Sequence, residues 1–370
     1  MKKVLITIAA LLVIAGLVFV AMGGKEGLVE TVLPTMPDFP EPKASLSADD
    51  SGTLYFKSHT PFDFDVLLND PKIGMPMTGV GDLYLPEGAS AENPVPAMIV
   101  LHGSGGISPG RERETAEHIV ANGFAAFVID YYKSRGVTEE TPYMISVVSI
   151  TEFDAVADGY GALQMLSGHP SIQADQIGLM GFSYGGMATR IGMDERVRRR
   201  LAPSLKGFAA FVDYYGPCFQ VLGTTNTNGS PLLTLRGTED NSNHLPSCLK
   251  REAEIQALGV SVEPHVFEGA GHAWDNHNPR ALKEDAPFLG GNCEMVYDAE
   301  GYPQALGQYV VKPPMGTSRA ERIALRMESG TVLADCVGYG YIVGRDDKTR
   351  SRTDNLLIDF LQRNLMAEKK

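Results

Sequence analysis

The stretch Ile177-Gly178-Leu179-Met180-Gly181-Phe182-Ser183-Tyr184-Gly185-Gly186 limits what this chain can fold into more than any other. An apolar run meets a Gly-x-Ser-x-Gly pentad and passes into Met187-Ala188-Thr189-Arg190, which reads as strand, sharp corner and helix. A serine lifted off a buried strand on so tight a corner needs bare neighbours two residues to either side, because both face adjacent backbone. Gly181 and Gly185 fill those places, and Gly186 lets the helix approach the sheet. Ser183 is therefore the candidate nucleophile. The backbone N–H of Tyr184, at the start of the helix, is placed to meet a developing oxyanion. In a chain with 40 glycines the pentad alone decides little, and its surroundings must be read with it.

Those surroundings repeat one theme. Pro96 to Leu101 is an unbroken apolar run of the kind a parallel sheet buries on both faces, and it ends at His102-Gly103-Ser104-Gly105-Gly106. That small-residue loop can bring a second N–H, that of Ser104, to an oxyanion. His102 at the strand end is expected to shape the loop by hydrogen bonding. A helix over 111–122 with Gly123 behind it leads to the strand Phe124–Asp130, and a helix over 151–166 leads to the Ser183 strand. Further strands at 205–212, 231–236 and 260–267 and a terminal helix at 354–365 complete the alternation. Thr53–Lys57 and Gly79–Pro86 suit an antiparallel lead-in. The pattern predicts an α/β fold with a mostly parallel, doubly wound sheet, whose functional residues gather outside the carboxyl ends of the strands.

Two such ends supply what a serine needs. A neutral hydroxyl is a poor nucleophile without a base in reach and a carboxylate to orient the base. His272 lies in the glycine-rich loop after the last strand, and Asp240 in the loop after the strand before it. Asp240 is the first candidate acid, followed by Asp213 and Glu239. The order Ser, acid, His fits a nucleophile on a strand-to-helix corner.

Charge and cysteines narrow the setting. A net charge of -13 disfavours nucleic acid, and the run Arg196–Arg200 reads as a solvated helix face. Hydrophobic residues at 44% allow a sizeable core. Val4 to Met22 carries no charge after Lys2 and Lys3, and as a helix of ~28 Å it nearly matches a ~30 Å hydrocarbon layer. Residues 1–23 are expected to be a membrane anchor, or a signal segment cut near Ala21-Met22-Gly23, that exports the rest of the chain. Residues 24–50, with Pro34, Pro37, Pro40 and Pro42, read as an extended linker, and 51–370 as the main domain. Four cysteines suit export and allow three pairings, of which Cys218 with Cys248 and Cys293 with Cys336 is preferred because each pair flanks one segment. No cysteine spacing suggests zinc, and no cofactor is expected.

Taken together, Leu101–Gly106, Gly181–Gly186, Gly237-Thr238-Glu239-Asp240 and Gly269-Ala270-Gly271-His272-Ala273-Trp274-Asp275 resemble the dienelactone hydrolase-like branch of the α/β-hydrolase superfamily. The resemblance implies an α/β-hydrolase fold and supports Asp240 and His272 as acid and base. It also likens Arg135 to an arginine the family places after its second core strand, a contact for a substrate carboxylate. The name-giving enzymes use cysteine where this chain has Ser183, so their substrate does not carry over. A second departure is the length of 276–350, an insertion that could pass over the site as a lid or lie elsewhere on the surface. The expected activity is cleavage of a small carboxylic ester through an acyl-enzyme on Ser183. Competing readings are acyl transfer, peptide cleavage, and a membrane-tethered binding protein that kept the fold without the chemistry.

Overall fold

In the computed structural model, which describes residues 24–69, 75–291, 293–313, 316, 318–328 and 330–366, the apolar runs form the middle of one eight-stranded sheet. The chain begins with α1 (Gly24–Val32), β1 (Gly52–Thr60), α2 (Phe64–Leu68), β2 (Met75–Tyr84), β3 (Val95–Leu101), α3 (Glu112–Ala121) and β4 (Ala125–Ile129). Next come α4 (Tyr143–Ser149), α5 (Glu152–Leu166), β5 (Ile172–Phe182), α6 (Tyr184–Ile191), α7 (Glu195–Leu201), β6 (Phe211–Tyr214) and β7 (Gln220–Val221). After these stand β8 (Leu232–Gly237), α8 (Leu245–Ala257), β9 (Val262–Phe267), β10 (Ala281–Leu289), β11 (Met295–Tyr297), β12 (Pro303–Ala305) and β13 (Gln308–Tyr309). The last elements are α9 (Arg319–Glu328), α10 (Gly330–Leu333), β14 (Val337–Val343) and α11 (Asp347–Leu365).

The main sheet runs β1-β2-β4-β3-β5-β6-β8-β9. β1 pairs antiparallel with β2, and β2 with β4, while the ladder from β4 through β9 is parallel. Period-two alternation sends Ala97, Ile99 and Leu101 to the face covered by Phe153, Val156 and Tyr160 of α5. Met98 and Val100 go to the other face, against Ile119 of α3 and Phe360 and Leu361 of α11. Both faces are dry, which is why these strands read as continuous apolar runs.

Some boundaries differ from the sequence expectation. α11 starts at Asp347, well before Asp354, because the Asp346 side chain accepts from the N–H groups of Lys348 and Thr349 and caps the helix. The strand expected from Leu205 begins only at Phe211. Gly207 there is left-handed at φ 94°, and the Asn228 side chain bonds the Phe208 carbonyl at 2.8 Å, so the preceding residues take an irregular course.

The proline-rich stretch is docked, which corrects the reading of 24–50 as a free linker. Val29 of α1 packs with Phe62, Ala320 and Ile323, and the Phe39 ring lies 5.3 Å from that of Tyr55. The Ala48 and Asp50 carbonyls accept from Ser171 and pair with His169 at 2.9 Å each. Prolines keep this segment extended, and its apolar side chains still find partners. The expected apolar helix within residues 1–23 lies outside the described residues. Among those residues no helix is long and apolar enough to cross a membrane.

Both expected disulfides are present, Cys218–Cys248 and Cys293–Cys336. The segment 276–350 builds two small sheets, one of β10 with β14 and one in which β11–β13 join β7. The insertion therefore holds the main domain at two points, where β11 pairs with β7 and where Val343 bridges to His272.

One buried carboxylate joins the lead-in to the helical layer. Asp154 closes a capping box with Thr151, accepting from the Thr151 N–H at 2.9 Å. It also accepts from the Thr60 hydroxyl at 2.8 Å and the Phe62 N–H at 3.1 Å. Asp154→Ala leaves these donors buried without a partner. Urea unfolding followed by circular dichroism is expected to show a loss of about 2–4 kcal/mol.

Candidate active site

At the end of β5 the chain turns so sharply that Ser183 takes φ 53° and ψ -109°, a conformation disfavoured for a residue with a Cβ. Its flanks are crowded as the pentad requires: a Cβ on Gly181 would strike the Gly185 backbone, and one on Gly185 would come within 2.5 Å of the Leu101 carbonyl. Gly186 faces Asp213 and Gly216, so α6 can lie against the neighbouring strand end. The Ser183 N–H is held by the Tyr214 carbonyl at 2.8 Å, which ties the corner to the sheet.

The hydroxyl of Ser183 lies 2.9 Å from Nε2 of His272, and Nδ1 of His272 lies 2.7 Å from Oδ2 of Asp240. Three side chains remote in sequence are thus joined in one line. Asp240 is buried, and Ser242 and Asn243 both donate to it, Asn243 at 2.8 Å. Burial pushes the Asp240 carboxyl up, but the adjoining imidazole and these donors prevail and hold it below the usual carboxylate value. The two rival acids are committed elsewhere. Asp213 is buried with Arg190 and Arg236, whose charges hold it ionised against the cost of burial. Glu239 pairs at the surface with Arg280.

The imidazole is positioned from three sides. Tyr215 packs edge-on against it at 4.7 Å and donates its own hydroxyl to Asp275 at 2.7 Å. Tyr341 of β14 packs against it at 5.5 Å. The His272 N–H donates to the Ile342 carbonyl at 2.7 Å, and its carbonyl accepts from the Gly344 N–H at 2.9 Å. The insertion therefore hydrogen-bonds the backbone on both sides of the imidazole. Ser242, Asn243, Tyr215 and Tyr341 were not singled out in the sequence; the polar run after Asp240 is the one local signal that pointed to any of them.

The Ser104 loop stands beside the corner. A Cβ on Gly103 would lie 3.4 Å from that of Ser183, and Tyr132 fixes the loop by donating to the Ser104 carbonyl at 2.9 Å. His102 behaves as expected of a loop-shaping residue: it is fully buried, stacks on Tyr131 at 3.6 Å and bonds the Gly103 carbonyl region through Nδ1 at 2.7 Å. Burial holds its pKa down to about 4, so it is neutral at physiological pH.

A cleft of about 270 Å³ opens on Ser183. Ser104, Tyr184, Met187 and Phe219 line one side, and Pro287, Phe288, Leu289, Val337 and Tyr341 of the insertion line the other. Among the described residues no cluster of side chains suits a metal ion.

Arg135 is a correction. Its side chain is fully buried, and it donates to both oxygens of Asp158 at 2.8 and 3.0 Å, to the Tyr131 and His59 carbonyls, and to Thr60. It has no surface left for a substrate carboxylate; the strand-end position holds an internal ion pair that seats β1 on α5.

The sequence pattern of the dienelactone hydrolase family matches residues 82–305. The chain belongs to the dienelactone hydrolase family. It is thereby a hydrolase acting on esters or lactones. Among curated relatives of this dienelactone hydrolase family member, a probable 2-oxo-3-(5-oxofuran-2-ylidene)propanoate lactonase of Bradyrhizobium sp is 25% identical over 219 residues, spanning 55% of this chain and 83% of that protein. The mitochondrial acyl-coenzyme A thioesterase 2 of Homo sapiens is 27% identical over 152 residues, 41% of this chain and 26% of that protein. Among solved structures, a dienelactone hydrolase-like promiscuous phosphotriesterase from metagenomic libraries superposes with a TM-score of 0.50 at 15% identity, covering 85% of this chain and all of that one. That likeness is one of fold.

Two expectations follow. Arg135→Met leaves the Asp158 carboxylate buried without its partner, and the unfolding free energy falls by about 3–5 kcal/mol in denaturant titration. Because Cys293–Cys336 closes the β10–β14 pair at the end away from His272, Cys293→Ser with Cys336→Ser loosens the element that aims the imidazole. Hydrolase turnover by the double variant is expected to drop about ten- to a hundredfold, with the main unfolding transition little moved.

Proposed function

We propose that the chain is a serine hydrolase that cleaves a carboxylic ester through an acyl-enzyme on Ser183, with His272 as base and then acid and Asp240 as its orienting carboxylate. The observation that carries this reading is the unbroken line of contacts from Oγ of Ser183 through both ring nitrogens of His272 to Asp240.

Ser183 Oγ attacks the carbonyl carbon while its proton passes to Nε2 of His272. The carbonyl oxygen becomes an oxyanion, received by the backbone N–H groups of Tyr184 and Ser104. His272 returns the proton to the leaving alcohol oxygen, and the C–O bond breaks. Water then enters and attacks the acyl carbon as it gives a proton to Nε2; Nε2 hands that proton to Ser183 Oγ as the ester bond to the enzyme breaks, which frees the acid and restores the hydroxyl and the neutral imidazole. Asp240 stays ionised throughout, keeping the Nδ1–H tautomer and favouring the imidazolium that forms at each stage. The strained corner supports this reading, because a backbone outlier held by close glycine contacts is the kind of cost a functional site retains.

The substrate is a small ester that reaches a cleft with an apolar, aromatic wall; nucleic acid is no partner of so acidic a chain. We place the domain outside the cytoplasm, tethered by residues 1–23 or released from them. The two disulfides, Cys218–Cys248 and Cys293–Cys336, favour that compartment.

A fluorophosphonate probe followed by peptide mapping is expected to label Ser183 in the folded protein. Ser183→Ala abolishes labelling and lowers ester turnover by about 10⁴–10⁶, and Asp240→Asn lowers it by about 10³–10⁴. Equal turnover by wild type and Ser183→Ala refutes the proposal.

A further inference from the structure

Beyond Ser104 the cleft does not end. A second and larger space of about 830 Å³ adjoins it, and Ser104 and Tyr143 line both. The Ser104 and Tyr143 hydroxyls lie 3.1 Å apart and form a saddle between the two. Their linings differ in kind. The smaller cleft has Phe219, Phe288, Leu289 and Tyr341 around His272. The larger groove has apolar surface as well, from Ile107, Val137, Tyr132 and Tyr143, but about half of its lining is polar, from hydroxyls and from charges that the cleft lacks.

The charges oppose one another. Arg113 and Lys133 face the same groove as Asp130, Glu139 and Glu140. The acids outnumber the bases by one, which disfavours a ligand carboxylate, while a ligand ammonium still meets Arg113 and Lys133. A long alkyl chain would cover the apolar half of this lining and leave the polar half without partners. An uncharged chain with hydroxyl groups uses both sets at once, giving hydrogen bonds to the carboxylates and accepting them from Lys133 and Arg113.

The chemistry of acyl transfer decides which half of the substrate goes where. His272 must hand its proton to the leaving oxygen, so the alcohol occupies the cleft that His272 lines. His272 does not line the groove, and Ser104, on the loop that receives the oxyanion, does. The remaining substituent of the carbonyl carbon points past Ser104.

We propose, building on the serine-hydrolase reading above, that the groove lined by Ser104, Tyr143, Lys133, Glu139 and Thr141 is the acyl subsite and accepts an uncharged, hydroxylated acyl chain, while the aromatic cleft beside His272 takes a small apolar alcohol. The dimensions agree, since the groove falls within the range that encloses a molecule of ten or more heavy atoms.

The test is a set of p-nitrophenyl esters with six-carbon acyl chains that differ at the far end: hexanoyl, 5,6-dihydroxyhexanoyl, 5-carboxypentanoyl and 6-aminohexanoyl. Release of p-nitrophenol without enzyme, to which the 5-hydroxyl contributes by closing a lactone, is subtracted before each kcat/KM is compared. The dihydroxy ester is expected to exceed the other three by about tenfold. In Glu139→Ala with Thr141→Ala, the ratio of dihydroxyhexanoyl to hexanoyl is expected to fall toward one, a readout that loss of folded protein does not move. Preference for hexanoyl or for either charged ester overturns the assignment, as does a ratio unchanged in the double variant. Turnover that depends on Ser183 without this preference sinks the subsite alone. Turnover that survives in Ser183→Ala sinks the reading of the centre itself.

Discussion

The positive φ of Ser183 is the constraint from which the rest follows. A strand that ends in such a corner must be clamped on both sides, and here the clamps are backbone against backbone: Gly181 on Gly185, and Gly185 on the carbonyls of Leu101 and His102. The corner is therefore formed jointly by β5 and the strand beside it. That contact also fixes the loop after β3 next to the serine, so the two N–H groups proposed to receive an oxyanion are positioned by the packing that strains the serine.

Charge inside the domain is arranged around that corner rather than within it. Asp213 with Arg190 and Arg236, and Arg135 with Asp158, are buried pairs that seat neighbouring strand ends and helices. Their worth lies less in net stability than in the large cost of breaking either one. Asp240 differs from them in having no guanidinium beside it: its partners are an imidazole, a hydroxyl and an amide. A carboxylate with no guanidinium to neutralise it keeps its charge for the imidazolium that forms during turnover.

Much of this was legible in the sequence because it depends on local rules. Continuous apolar runs gave the parallel strands, glycines at fixed offsets gave the corner, and chain order gave Ser183 and His272 with a short choice of acids between them. What was not legible depends on partners distant in the chain. Arg135 at a strand end looks alike whether it faces solvent or Asp158, and only the fold sets Asp158 beneath it. The stretch after residue 24 carries the prolines of a linker, yet Val29 and Phe39 pack on surfaces supplied by Ile323 and Tyr55. Choosing between Asp240, Asp213 and Glu239 likewise needed the positions of Arg190, Arg236 and Arg280.

The two backbone hydrogen bonds from His272 to Ile342 and Gly344 carry a lesson for anyone comparing or trimming such proteins. The family pattern stops at residue 305, short of both partners. A chain cut back to the matched residues would retain nucleophile, acid and base in name, yet leave the backbone of the base without either of these bonds. In this protein the segment that carries Ile342 and Gly344 is part of the machinery it surrounds, and its loss would disarm the centre without removing any of the three groups that define it.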